Sequence, residues 1–352
     1  MTEAQPPRLI APLPAHRLNE ARLFTYLAQA IDGFAEPATL RQFQGGQSNP
    51  TFLIESAGRA LVLRKKPPGT LLPSAHQVDR EYRVQAALAG CGFPVAAMVH
   101  YCDNVAVIGT EFYVMEFLQG RLFPDITSPL LALPDRARVQ AAMFATLAAL
   151  HRVDYASCGL KDFGRPDNYI ARQLRRFGQQ YQAVAAEHLP AMTALMAWLD
   201  AHIPADTPAT IVHGDFRQAN LMLHPSEPRI IAVLDWELAT LGHPIADLAY
   251  CCLCFHMPHD IDPEYAGFAG IDTSPLGLLT ESECLDIYRQ HSGHETITDW
   301  NFHLGFALFR SAAILEGVYA RALAGNAVDP NAARFHAMTR MTAELGLNIV
   351  KR

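Results

Sequence analysis

The hydropathy pattern changes period once along the chain, and that change limits the fold more than any other feature. Up to about residue 118, apolar residues alternate in short runs separated by turn formers. Residues 51–54 and 60–64 read as two strands around Ser56-Ala57-Gly58, and residues 105–108 and 111–115 as a second hairpin around Gly109-Thr110. Helical spacing occurs in this part at 19–32, through Leu23, Leu27 and Ile31, and at 79–89, closed by Gly90 and Gly92. Past Gly120 the helical period takes over, at 135–151, 167–182, 188–202, 245–255, 280–291, 300–324 and 331–348. This predicts an α+β chain, with an N-terminal antiparallel-sheet lobe over 1–118 and a mainly helical lobe over 119–352.

Composition narrows the function classes. Apolar residues make up 50% of the chain and charged residues 18%, a globular balance. The net charge of −7, with no run of five or more Lys or Arg, argues against a nucleic-acid partner. There is no apolar stretch of about 20 residues to span a membrane, and the Pro-rich segment before Leu18 has no signal-like apolar core. The seven cysteines show no disulfide-framework spacing. They fit a reducing, cytoplasmic setting. Cys251, Cys252 and Cys254 fall in an apolar segment with no second Cys/His pair at zinc spacing, so packing thiols are expected there.

The chemistry concentrates in His213-Gly214-Asp215-Phe216-Arg217-Gln218-Ala219-Asn220 and in Asp235. A hairpin expected over 221–223 and 230–234 holds Asn220 and Asp235 close together. This set suits phosphoryl transfer from Mg-ATP to a hydroxyl of a small molecule. Asp215 accepts or orients the proton of the attacking hydroxyl, and Arg217 faces the charge building on the transferring group. Asn220 and Asp235 are hard oxygen ligands for Mg²⁺.

The spacing mirrors the protein-kinase loop H-R-D-x-x-x-x-N and its later D-F-G, with Gly214 in place of the Arg and Asp235-Trp236-Glu237 in place of D-F-G. In this form the chain resembles the aminoglycoside phosphotransferase and choline kinase superfamily, which implies a bilobal, protein-kinase-like fold. Three blocks carry a narrower resemblance: Leu63-Arg64-Lys65-Lys66-Pro67-Pro68-Gly69, Phe163-Gly164-Arg165-Pro166-Asp167-Asn168-Tyr169, and Asp235-Trp236-Glu237 through Gly242-His243-Pro244. They are similar to the kinase-like domain of acyl-CoA dehydrogenase fusion proteins and its stand-alone bacterial relatives. That resemblance implies an ATP-dependent kinase acting on a hydroxyacyl-CoA. An aminoglycoside or amino-alcohol acceptor and a catalytically inactive pseudokinase are the alternatives.

The resemblance also implies a nucleotide site. Gly46 and Ser48, in a Gly-rich loop, would let backbone N–H groups approach the phosphates. With period two, Val62 and Arg64 share a strand face. Val62 would line the adenine and Arg64 would take the place of the kinase Lys, with Lys65 as the alternative. Glu81 is the expected helix carboxylate, and Glu116 and Leu118 belong to the segment whose backbone reads the adenine edge. Asp247 is expected to brace the catalytic loop. Glu237 is either a second-metal or acceptor contact or a loop charge. Arg165, Arg172, Arg175 and Arg176 form a basic group that suits an anionic acceptor. The sequence does not indicate an oligomeric state.

Overall fold

Two hydrogen-bonded turn residues, Ala57 and Gly58, both have positive φ (47° and 80°), the conformation that joins two twisted antiparallel strands most tightly. They connect β3 to β4 in a six-stranded antiparallel sheet, seen in a computed structural model that describes residues 8–44, 49–69, 76–185, 187–261, 265–323 and 333–352. The strands are β1 (Leu9–Ile10), β2 (Ala38–Phe43), β3 (Thr51–Ser56), β4 (Arg59–Lys65), β5 (Met98–Cys102) and β6 (Phe112–Glu116), in the order β1-β2-β3-β4-β6-β5. One face of the sheet carries Phe52, Ile54, Leu61, Leu63, Phe112 and Val114. It packs on Leu23, Phe24 and Leu27 of α1 (Glu20–Ala30). Each such side chain, fully buried, contributes roughly 1.5–3 kcal/mol. The opposite face holds Val62 and Arg64 and meets α2 (Val78–Gly90).

The remaining chain is mainly helical. It contains α3 (Leu133–His151), α4 (Tyr169–Val184), α5 (Pro190–Ala201), α6 (Pro244–Cys251), α7 (Glu281–Ser292), α8 (Trp300–Leu323) and α9 (Ala333–Val350). Two small antiparallel sheets are set among these helices. One joins β7 (Arg121–Leu122), β9 (Leu221–Leu223) and β10 (Ile230–Val233). The other pairs β8 (Thr210–Val212) with β11 (Thr240–Gly242). Helix α8 feeds both helical cores, with Leu304 and Leu308 on one side and Phe302, Phe306 and Phe309 on the other. Helix α7 starts in a capping box, Thr280 with Glu283, and stops at Gly293 in the left-handed region. None of the described helices is long and apolar enough to cross a membrane.

Three expectations change. Residues 105–108 form a turn rather than a strand. The Asn104 side chain accepts from Ala106 N (3.0 Å), and its carbonyl accepts from Val107 N (3.1 Å), which draws the chain out of the extended state. The partner of β6 is instead β5. Strand β2 was hidden because its exposed residues, Thr39 and Arg41, break up the apolar run. Finally, Cys91 and Cys158, 67 residues apart, form a disulfide, so the thiols are not all unpaired. It ties the end of α2 to the loop after α3. Cys251 and Cys252 are buried, and burial pushes both thiols well above the ordinary range, so they act as small apolar side chains.

Candidate active site

Strand β8 ends at Val212 and delivers His213 into the core at 0% exposure. Asp215 N–H donates to His213 Nδ1 (3.2 Å), so the His213 proton sits on Nε2, which donates to the carbonyl of Leu234 (2.9 Å). Leu234 N–H in turn donates to the carbonyl of Asn220 (2.8 Å). Leu234 therefore ties the 213–220 loop to Asp235. Trp236 reinforces this tie. Its Nε1 donates to the Val233 carbonyl (2.9 Å), and its ring meets His213 edge-on at 4.7 Å. Trp236 thus anchors Asp235 to the 213–220 loop.

Gly214 shows why an Arg is absent from the kinase-like motif. Its φ is +83°, and a Cβ would lie 2.9 Å from the Leu238 carbonyl oxygen. The loop backbone is held by Asp247, as expected. Oδ2 accepts from His213 N (2.8 Å), Oδ1 accepts from Gly214 N (2.9 Å), and His151 Nε2 lies 3.3 Å from Oδ2. Burial opposes ionisation of Asp247, but the His151 and His213 contacts outweigh it and keep the carboxyl below its usual range.

Asp215 stands at the centre of this loop. Asn220 Nδ2 donates to Asp215 Oδ2 (2.8 Å) and to its carbonyl (2.9 Å), and Arg217 Nε lies 3.4 Å from Oδ2. Asn220 thereby presents its amide nitrogen to Asp215, which leaves its carbonyl oxygen for a cation. Asp235, a non-glycine residue at φ 64°, projects from the end of the β9–β10 hairpin.

On the sheet side, it is Arg64 rather than Lys65 that meets the carboxylate of α2. Arg64 Nε lies 2.8 Å from Glu81 Oε2, and Arg64 Nη2 donates to Asp235 Oδ1 (2.9 Å). Lys65 faces the other way, and its Nζ donates to the carbonyl of Lys66 (3.3 Å). Glu81 is only 1% exposed and also accepts from Tyr113 Oη (3.0 Å) and from Asn49 Nδ2 (2.6 Å). Burial pushes the Glu81 carboxyl up, partly offset by the Arg64 charge. Val62 is buried on the Arg64 face. Gly46 and Ser48 lie outside the described residues. The Glu116 amide is already engaged with the Ala97 carbonyl (2.9 Å), and its side chain pairs with Arg59 (2.5 Å). Leu118 lies in the connecting segment just beyond β6.

The four arginines do not form one group. Arg175 lines a groove of about 450 Å³ between α4 and α5, beside Thr193, Met196 and Asp200. Arg172 and Arg176, one helical turn apart, share another face. Together with Arg310 they act on the Tyr169 phenol, opposing the upward push of burial. Arg172 also donates to the Arg165 carbonyl (2.6 Å).

Sequence reasoning missed several residues. Asn49, at the start of the segment leading into β3, donates to Glu81. Arg80 joins α2 to the helical part, donating to the Phe163 carbonyl (2.7 Å) with its guanidinium 4.1 Å from the Phe163 ring. Tyr250 donates to Asp215 Oδ1 (2.6 Å), and Arg310 donates to the Gly214 carbonyl. A signal was available for Tyr250, which stands one helical turn after Asp247 in α6. Arg310 had none, because it lies 96 residues beyond Gly214.

An antiparallel sheet with one buried Arg–Glu pair, set against helices that present an Asp-centred loop, defines a kinase-like phosphotransferase. A profile described as the phosphotransferase enzyme family matches residues 39–275, and the chain belongs to that family. A crystal structure from Ralstonia eutropha, provisionally described as an aminoglycoside phosphotransferase, is 41% identical with a TM-score of 0.86, covering 95% of this chain and 99% of that one. An aminoglycoside phosphotransferase solved with AMP-PNP and hygromycin B has a TM-score of 0.58 at 16% identity, covering 94% of this chain and 98% of that one, a likeness of fold alone. Human acyl-CoA dehydrogenase family member 11 is 41% identical over 346 residues, 97% of this chain but 44% of that protein. The chain thus spans under half the length of that curated relative.

Proposed function

We propose that the chain is an Mg-ATP-dependent kinase that transfers the γ-phosphoryl group to an alcohol hydroxyl of a small anionic molecule, with a hydroxyacyl-CoA as the leading acceptor class. Residues 1–118 would hold the nucleotide and residues 119–352 the acceptor. The supporting observation is the polar line from Glu81 through Arg64 to Asp235, tied by Leu234 to the loop that holds Asp215 and Asn220. This is a Glu–Arg pair between α2 and β4 joined to an Asp–Asn pair on the helical side, the arrangement phosphoryl transfer needs on its two flanks.

The donor set fits Mg²⁺, which commonly takes one or two protein oxygens and fills the rest with phosphates and water. Asn220 and Asp235 supply an amide and a carboxylate oxygen. When bound, Mg²⁺ would neutralise charge on the β- and γ-phosphates. Asp215 would receive the acceptor proton, and Arg217 would face the transferring group. Val62, the backbone of Gly46 and Ser48, the Glu116 carbonyl and the Leu118 backbone would surround the nucleotide, with Arg64 held by Glu81.

The acceptor class rests on charge. Arg176 and Arg310 both lie beside the Phe177 ring, 5.5 and 5.6 Å from its centroid, Arg172 stands one turn before Arg176 on α4, and Arg310 reaches the Asp215 loop. The pair Arg172 and Arg176 would suit an acyl-CoA and repel a polycationic aminoglycoside. The variant Arg172→Gln/Arg176→Gln should raise KM for a hydroxyacyl-CoA about tenfold, equivalent to about 1.4 kcal/mol, with KM for ATP unchanged. A fall in KM for an aminoglycoside in the same variant, with no change for the acyl-CoA, would move the assignment to the cationic acceptor.

A further inference from the structure

We propose that Tyr250 is a positioning residue that withholds Asp215 from water until an acceptor arrives, and so suppresses acceptor-independent hydrolysis of ATP. The inference rests on the reading of Asp215 as the proton acceptor.

Asp215 has two oxygens to offer, and this chain uses both. Oδ2 takes the Asn220 amide (2.8 Å) and faces Arg217 (3.4 Å). Oδ1 takes the Tyr250 hydroxyl at 2.6 Å, a short O–H···O contact. With Oδ2 committed to Asn220 and Arg217, Oδ1 is the oxygen suited to receive a proton from an attacking hydroxyl. Tyr250 therefore places on Oδ1 the same kind of group, a hydroxyl donor, that an alcohol or a water molecule would bring.

The phenol is held there from several sides. Tyr250 is next to last in α6, the helix whose Asp247 pins the His213 and Gly214 amides. Arg310 is 6% exposed, lies 5.0 Å from the Tyr250 ring and donates to the Gly214 carbonyl. Burial, then the Asp215 charge, push the phenol well above its ordinary range, so it stays protonated and remains a donor.

Hydrolysis would break the bond from the γ-phosphorus to the β-bridging oxygen and form a bond from the γ-phosphorus to a water oxygen. One water proton would pass to Asp215 Oδ1 and then to solvent, and ADP and phosphate would leave. A water molecule has only its own hydrogen bond with which to displace the phenol. An acceptor held elsewhere by its remote groups can spend that binding on the displacement. The contact thus favours a bound alcohol over water at the same carboxylate.

If Tyr250 merely aimed Asp215, its loss would lower every rate. The withholding role predicts the opposite sign for hydrolysis. In Tyr250→Phe, which keeps the ring beside Arg310, ADP release from Mg-ATP without acceptor should rise about fivefold, the worth of one typical hydrogen bond. Calorimetric affinity for Mg-ATP should stay within about twofold of wild type, and Tyr250→Phe/Asp215→Asn should lose the rise. An unchanged or lower rate with intact Mg-ATP affinity overturns this inference alone. So does a rise that persists in the double variant. If neither wild type nor variant binds Mg-ATP, the kinase reading falls and this inference falls with it.

Discussion

Asp215→Asn should lower phosphoryl transfer by about 10²- to 10⁴-fold, the usual worth of a positioned proton acceptor, while Mg-ATP affinity stays within about threefold. The change is nearly isosteric. The loop backbone is pinned by Asp247 through the His213 and Gly214 amides, so the loop should keep its shape. Lost turnover would then report chemistry rather than unfolding. Steady-state ADP release with an acceptor that supports wild-type turnover, beside ATP titration of both proteins, makes the measurement. Near-wild-type turnover in the variant would remove Asp215 from its assigned role.

Arg64→Met should be the most destabilising single change at the site. It leaves the Glu81 carboxylate, 1% exposed, with only Tyr113 and Asn49 as partners. Breaking a buried ion pair on one side costs about 3–5 kcal/mol, a fall in Tm of about 5 °C for a chain of this length. The loss should depend on pH. Burial already holds the Glu81 carboxyl above its ordinary value in the folded protein. The folded state therefore binds the proton more tightly than the unfolded chain. Stability from such a group is fully present below the unfolded pKa and is lost as pH rises through the folded one. Removing Arg64 raises the folded pKa further and widens that window upward. The gap in Tm between variant and wild type should thus be larger at pH 8 than at pH 5. A gap that narrows with rising pH would mean that Glu81 is not carried as a buried, Arg-paired carboxylate.

What could be read from the sequence was local. Asp215, Asn220 and Asp235 lie within 21 positions, on a hairpin whose alternation is plain, and the structure brings them onto one tied loop. Period two in β4 put Arg64 and Lys65 on opposite faces without choosing between them, and it is Arg64 that meets Glu81. The unread contacts join distant segments whose pairing leaves no periodic trace. Asn49 meets Glu81 32 positions away, Tyr250 meets Asp215 35 away, and Arg310 meets Gly214 96 away. The arginines looked like one cluster because adjacency in sequence hides the turn of a helix, which sends Arg175 toward α5. Strands β1 and β7 have two residues each, too few to show alternation, and are defined only by their partners β2 and β9.

Asn220, Asp235 and Arg64 are proposed to frame a metal-dependent nucleotide site. Isothermal calorimetry of ATP on the purified protein, first with Mg²⁺ and then with EDTA, tests it without any choice of acceptor. Binding in the micromolar to sub-millimolar range usual for enzyme substrates is expected with Mg²⁺, weakened about tenfold or more in EDTA and in Asp235→Ala. Absence of binding to ATP and to GTP in both conditions would contradict it, and would make the chain a pseudokinase that keeps the fold without the nucleotide.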